Sequence, residues 1–197
     1  MTVLHNTIST FNNFNALYHM THRANISSIL KHGLLSHGNK YQTKDISDKA
    51  VNSRRSRIEP IYGKAIHSYV PFYFNPKNAM LYCRREKQSK IVILVFNASL
   101  ISYSNAIFTD GNASSDVTQF FNNLGDLNKL HWSCLKARRW SHHPDGRRTR
   151  MAEVLVPNHV GLENLNKIIC YSSKTYYKLK ESCPSHIRIE IDRSFYF

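Results

Sequence analysis

The tightest constraint on the fold is the brevity of the apolar runs: the longest, residues 91–96 (Ile-Val-Ile-Leu-Val-Phe), holds only six residues. A bilayer-spanning helix needs about twenty, so no spanning helix is expected, and with no basic amphipathic helix bearing an aromatic-apolar face no membrane partner is expected either. A short run rich in β-branched residues reads as a buried strand. Residues 16–20, 69–74, 153–156 and 167–171 read as further strands, and Ile187, Ile189 and Ile191 alternate as a last, half-buried one. Helical spacing marks residues 23–32, where Ile26, Ile29 and Leu30 recur between a capping Thr21 and a stopping Gly33, with Leu34 and Leu35 running on into a loop. Residues 76–82, 116–124, 127–140 and 173–181 also read as helical. Strands and helices mix without a βαβ rhythm, which predicts an α+β class. No repeat, linker or composition break divides the 197 residues, so a single domain over 1–197 is expected.

Two polar, basic stretches interrupt this pattern, residues 38–61 and 141–150. Loops of such length inside one domain usually carry function. Twenty-seven Lys and Arg face thirteen Asp and Glu, giving a net charge of +14 and a pI near 9.8. A field of that sign attracts polyanions, and nucleic acid is the natural partner. A basic surface with no specific ligand is the other reading. Residues 1–14 lack the basic head and apolar run of a secretory signal. Cys83, Cys134, Cys170 and Cys183 form no C-x-x-C pair, so reduced thiols in a cytoplasmic protein are expected.

Four segments carry candidate chemistry. In Tyr18-His19-Met20-Thr21-His22, a strand ends in polar side chains at a helix start, which suits a ribose or phosphate; equally, His19 is a satisfied core histidine and Thr21 a cap. Asn52-Ser53-Arg54-Arg55-Ser56-Arg57 offers guanidinium forks for a pyrophosphate, or is a solvated basic loop. Tyr69-Val70-Pro71-Phe72-Tyr73-Phe74, followed by Met80-Leu81-Tyr82, places aromatics at alternate positions, one set for the core and the other free to stack on nicotinamide or adenine. Finally, Arg147-Arg148-Thr149-Arg150-Met151-Ala152 leads into Glu153-Val154-Leu155-Val156. A carboxylate entering an apolar strand is costly unless paired or functional, and a structural Glu–Arg pair also fits. There is no P-loop, G-x-G-x-x-G, G-x-S-x-G or H-E-x-x-H, and no acidic cluster for a two-metal nuclease. His142-His143 lacks the further ligands a metal needs, so no metal is expected.

Taken in order, these segments resemble the DarT family, the toxin halves of DarT–DarG toxin–antitoxin pairs. The resemblance also draws on Leu30-Lys31-His32-Gly33-Leu34-Leu35, His67-Ser68, Phe108-Thr109-Asp110, Met151-Ala152-Glu153 and Arg193-Ser194-Phe195-Tyr196-Phe197, and covers nearly the whole chain. It implies an ADP-ribosyltransferase-like fold, with mixed, mostly antiparallel sheets flanked by helices. It also implies an enzyme that takes NAD, releases nicotinamide and leaves ADP-ribose on a base of single-stranded DNA, countered by an antitoxin that removes the modification; a monomer suits so small a toxin. His19, Thr21, Asn25, Arg54, Tyr73 and Met80 would bind NAD under a covering loop at 38–61, with Arg55 beside the reacting centre and Glu153 as the catalytic carboxylate. The segment 141–150 would recognise substrate, with Trp140, His142, His143, Arg147, Arg148 and Arg150 on the DNA. Thymidine and guanosine both occur as targets among such proteins, and the sequence does not choose between them.

The implied chemistry fits the residues. Breaking the glycosidic bond of NAD builds positive charge on the ribose, which a carboxylate stabilises more in the transition state than before it. The same carboxylate would accept the proton of the attacking base. Single-stranded substrate avoids the cost of unpairing. Exchange of Glu153 is expected to spare the fold. The alternatives are an ADP-ribosyltransferase acting on RNA or protein, and a non-catalytic basic module whose nucleic-acid binding falls with salt and ignores NAD.

Overall fold

In a computed structural model that describes residues 14–37, 41, 44, 46 and 53–197, the run at 91–96 is the body of strand β4 (Ile91–Asn97). Strand β1 (Ala16–His22) lies antiparallel along one edge of β4 and β9 (Leu165–Cys170) along the other. Both faces of β4 are covered as well. Val92, Leu94 and Phe96 enter the larger core with Leu17, Phe72 and Val154, whereas Ile91, Ile93 and Val95 enter a second with Met20, Ile169 and Tyr196. A strand enclosed on every side has no position left for water, hence the unbroken apolar run.

Strands β3 (Tyr69–Tyr73), β5 (Ile107–Thr109), β6 (Phe120–Phe121), β7 (Glu153–Pro157) and β10 (Ile189–Ile191) complete an eight-stranded sheet ordered β10-β9-β4-β1-β3-β7-β5-β6. Only β9 and β10 pair in parallel. A separate ladder joins β2 (Leu34–Leu35) to β8 (His159–Val160). Five α-helices accompany the strands among the described residues: α1 (Ile26–His32), α2 (Ala79–Cys83), α3 (Trp132–Lys136), α4 (Gly146–Thr149) and α5 (Ser173–Ser182). The chain is α+β, as its pattern predicts, with a mostly antiparallel sheet. No described helix is long and apolar enough to cross a membrane.

Several expectations need correction. Thr21 is a strand residue rather than a cap; β1 continues to His22, whose ring Nδ1 accepts from the Ala24 N–H (3.1 Å) ahead of a 3-10 turn into α1. Gly33 does end α1, its N–H reaching Ile29 O at 2.8 Å with φ +71°, where a side chain would collide with His159 and Val160. Leu34 and Leu35 form β2 instead of a loop. Residues 116–124 carry β6 rather than a helix, because Asp110 Oδ1 captures the Gln119 N–H (2.9 Å) and Phe121 stacks on Phe108 at 5.4 Å. Within residues 127–140 only α3 is α-helical, since the carbonyls that would extend it are taken by Arg150. The stretch 141–150 is not simple loop; it holds α4 after a 3-10 turn at Trp140–His142. Residues 1–13, and with them the expectation about a signal, lie outside the described residues, as does half of the 38–61 loop.

The end of that loop is fastened from below. Glu59 is fully buried and accepts from the N–H groups of Ile61, Tyr62 and Lys64 (2.7–2.9 Å) and from the Tyr69 hydroxyl (2.9 Å). Burial alone would push its pKa up, but four donors to the charged form outweigh that and hold it below the ordinary carboxylate range.

Candidate active site

Strands β1 and β3 are neighbours that share a single register pair, Tyr18 with Tyr73. The cause is Pro71. In a strand, a residue's N–H and C=O point toward the same neighbour. The Pro71 carbonyl faces β1 and accepts from His19 Nδ1 at 2.9 Å, so the N–H that proline lacks is the one that would have continued this ladder. The strands part, and the gap opens into a cleft of about 650 Å³. That volume is of the size that holds a nucleotide-like ligand.

His19, Thr21, Pro71 and Tyr73 line the cleft from the two strands, joined by Asn25, Met80, Arg54, Arg55, Arg147 and Arg148. Each side chain has a defined state. Because a carbonyl only accepts, the His19 proton sits on Nδ1 and Nε2 is left as an acceptor. Desolvation pushes its pKa down against the opposing Pro71 bond, so the ring is neutral at pH 7. The Tyr73 phenol is pushed up, by burial first and by the Glu153 charge second, and stays protonated with its hydroxyl 3.9 Å from Met80 Sδ. Asn25, 4% exposed, donates to Thr21 Oγ1 (2.9 Å) and to Lys44 O (2.7 Å), and its Oδ1 accepts from the Lys44 N–H (2.9 Å). Its amide thus grips both backbone groups of Lys44, in the loop at 38–61.

Glu153 lies opposite Tyr73 in the β3–β7 ladder, so alternation turns both away from the larger core that takes Val154 and Val156. The carboxylate is fully buried. Arg55 Nη1 donates to Oε2 at 3.0 Å and to Oε1 at 3.1 Å, and the Ala113 N–H donates to Oε1 at 3.1 Å. Glu153 does not itself reach the cleft surface; Arg55, 12% exposed, stands between, and its buried Nη2 has no hydrogen-bond partner among the described residues. A spare donor of this kind suits an anionic or carbonyl oxygen. The Glu153 backbone is pinned too, its N–H donating to Thr109 Oγ1 at 3.0 Å. Neither Thr109 nor the Ala113 N–H has a role legible in the sequence: Thr109 is simply the middle of Phe108-Thr109-Asp110, and a backbone donor leaves no signature there.

The basic residues divide sharply. Arg57 is drawn aside to Ser115 O (2.9 Å) and Asp116 (3.1 Å), whereas Arg54 remains exposed at the cleft. Arg147 is exposed on the cleft wall. Arg148 is committed to Asp110 (2.8 Å), Asp145 and Thr118, lashing α4 to the segment that carries Ala113. The expectation that Arg150 meets DNA fails on burial: it is 2% exposed, and its guanidinium bonds the carbonyls of Lys77, Cys134, Leu135 and Ala137 at 2.7–2.9 Å. His142 and His143 border a second hollow of about 360 Å³ with Arg138 and Arg139, and Trp140 packs outside the cleft. No group of three or more His, Cys, Asp or Glu among the described residues is placed to hold a metal ion.

Comparison with known proteins bears on this geometry. A family described as "ssDNA thymidine ADP-ribosyltransferase, DarT" matches residues 18–197. A DNA ADP-ribosyl transferase of Escherichia coli O127:H6 is 29% identical over 183 residues, covering 84% of each chain. In Thermosipho africanus a relative 27% identical over 196 residues is a DNA ADP-ribosyl transferase fused to a DNA ADP-ribosyl glycohydrolase; the match covers 95% of this chain and 50% of the fusion. The DarT of Thermus sp. 2.9 has been solved with ADP-ribosylated ssDNA (TM-score 0.84, 28% identity, 93% of this chain and 97% of that one) and with NAD+ (TM-score 0.80, 27% identity, 93% and 98%). A family match over this much of the chain, on a fold that superimposes on these relatives over most of both chains, leaves one assignment: the chain belongs to the DarT family of ssDNA thymidine ADP-ribosyltransferases.

Proposed function

We propose that this protein transfers ADP-ribose from NAD to thymidine in single-stranded DNA, with Glu153 as the catalytic carboxylate and Arg55 as its partner in the site. The observation that carries the reading is the buried Glu153–Arg55 pair at the foot of a nucleotide-sized cleft, in a chain of this family. NAD supplies the ADP-ribosyl group and carries off nicotinamide as the leaving group. His19 and Thr21 hold the nicotinamide side, with Tyr73 and Met80 as an apolar wall, and Arg54 meets the phosphates. Arg55, with one terminal nitrogen on the carboxylate and the other unused, would turn that free donor to the ligand. Glu153 then stabilises charge building on the ribose and takes the proton of the base. Loop 38–61 covers NAD, and residues 141–150, with exposed Arg147 and His142, guide the strand. Residues 1–197 act as one domain, and the enzyme as a monomer. NAD and transient single strands coexist in the cytoplasm, where an antitoxin of the glycohydrolase kind would reverse the reaction.

Labelled NAD should mark a thymidine-containing single strand, with release of nicotinamide, and should leave duplex DNA, RNA and protein unmarked. Mass spectrometry of the oligonucleotide would locate the label. Transfer to RNA or protein in preference, or to strands without thymidine, would overturn the substrate assignment.

Asn25 is better placed to hold the covering loop than to bind NAD directly. Losing its grip on Lys44 removes about two hydrogen bonds, each contributing roughly 0.5–1.5 kcal/mol. Asn25→Ala should therefore raise the KM for NAD about tenfold and leave kcat within about threefold. A fall in kcat at unchanged KM would instead place Asn25 in the chemical step.

A further inference from the structure

Outside the cleft, Trp140, expected from sequence to meet DNA, joins two further aromatic rings at the surface that have no assigned task. Tyr82, Trp140 and Phe197 lie with ring centroids 5.2–6.1 Å apart, each pair close to perpendicular at 82–84°. Tyr82 is 46% exposed and Phe197 37%. The cluster is built rather than accidental. Gln88, itself buried, clamps the Phe197 backbone, donating to its carbonyl and accepting from its N–H (3.1 Å). Arg150 lies 5.9 Å from the Trp140 ring.

Cations ring the aromatics. Arg85 sits 4.6 Å from the Tyr82 centroid and Lys77 5.4 Å from that of Phe197. An apolar protein partner would have to bury those charges without compensation. A single nucleic-acid strand satisfies both features, since its bases stack on rings while its phosphates meet cations. The cluster is also continuous with the cleft. Tyr82 belongs to α2, whose Ala79, Met80 and Cys83 line it, and Trp140 begins the segment whose Asp145 and Arg147 do so.

We propose that Tyr82, Trp140 and Phe197 form a stacking platform for nucleotides that flank the modified base, extending the DNA path beyond the cleft. This rests on the single-stranded DNA reading above. The platform fixes how long a substrate must be for full affinity, and its contribution vanishes for strands too short to reach it.

The test compares labelled thymidine oligonucleotides of about four and about twelve nucleotides, by fluorescence anisotropy and by turnover with NAD. The Tyr82→Ala/Phe197→Ala double variant should bind the longer strand about 10- to 100-fold more weakly, with kcat/KM falling by the same factor. The shorter strand and NAD binding should be unaffected. Tyr82→Phe, which keeps the ring, should behave as wild type. Should the double variant bind the longer strand within about twofold of wild type, the platform is refuted. Equal losses on both strands would refute it as well, because a damaged fold does not discriminate by length. If wild-type protein marks no single strand at all, the function itself falls; if it does while the variants match it, only the platform does.

Discussion

Glu153→Gln should bind NAD and yet transfer ADP-ribose at least about a thousandfold more slowly than wild type. The size of the effect follows from two roles lost together. A preorganised charge aimed at a developing cation contributes on the order of 10²–10³ in rate, and a positioned proton acceptor on the order of 10²–10⁴. Glutamine keeps the shape and can still accept from the Ala113 N–H, but it turns an amide toward Arg55 where a carboxylate stood. The sequence suggested that this side chain matters little to packing, whereas it is fully buried and holds three hydrogen bonds. Glu153→Ala would therefore strand Arg55 and a buried N–H together, and a dead alanine variant would not separate chemistry from folding. Glutamine is the informative exchange. Arg55 lines the cleft and can turn toward water, so the cost in stability should be about 1–3 kcal/mol. Single-turnover transfer to a thymidine oligonucleotide, run beside a thermal melt, measures both. A rate above about a tenth of wild type in a folded variant would take the carboxylate out of the mechanism.

The second large effect concerns stability. Arg150→Met should cost about 3–5 kcal/mol, because four carbonyls, those of Cys134 and Leu135 buried, lose a charged partner to a side chain that cannot donate. At roughly 2–4 °C per kcal/mol for a chain of this size, the melting temperature should fall by about 10 °C. Arg150→Lys should lie between, since an ammonium keeps the charge but cannot span Lys77 O and the end of α3 as a planar fork does. Calorimetry of the three proteins settles it; a methionine variant that melts with wild type would mean that the carbonyls find water instead. The same residue illustrates how a basic run misleads. Arg147, Arg148 and Arg150 look alike in sequence, yet one faces the cleft, one is tied to two aspartates and one is interior.

What could be read from the sequence was mostly what depends on local pattern. The all-apolar run of β4, the stop at Gly33 and the strand beginning at Glu153 follow from alternation, backbone freedom and burial, all written in a few adjacent residues. Short elements were lost where a distant partner decides the conformation. Leu34 and Leu35 become a strand because His159 and Val160 lie alongside, and residues 116–124 unwind because Asp110 competes for a backbone donor. The candidate site shows the same division. His19, Thr21, Tyr73, Arg55 and Glu153 converge on one region, but the backbone donor from Ala113, the Thr109 bracket and the grip of Asn25 on Lys44 arise only once the chain is folded. Nor did sequence hint that Arg55 would stand between the carboxylate and solvent.

The missing amide at Pro71 has a consequence for energetics. A sheet normally gains by zipping neighbouring strands shut, and a ligand that needed them apart would have to break that ladder with its own affinity. Here an imino acid forbids the closure, and the carbonyl left over is already engaged by an imidazole. The aperture is therefore a property of covalent structure, present before any dinucleotide arrives. Interaction energy with NAD remains available for orienting the scissile bond instead of prying open a seam.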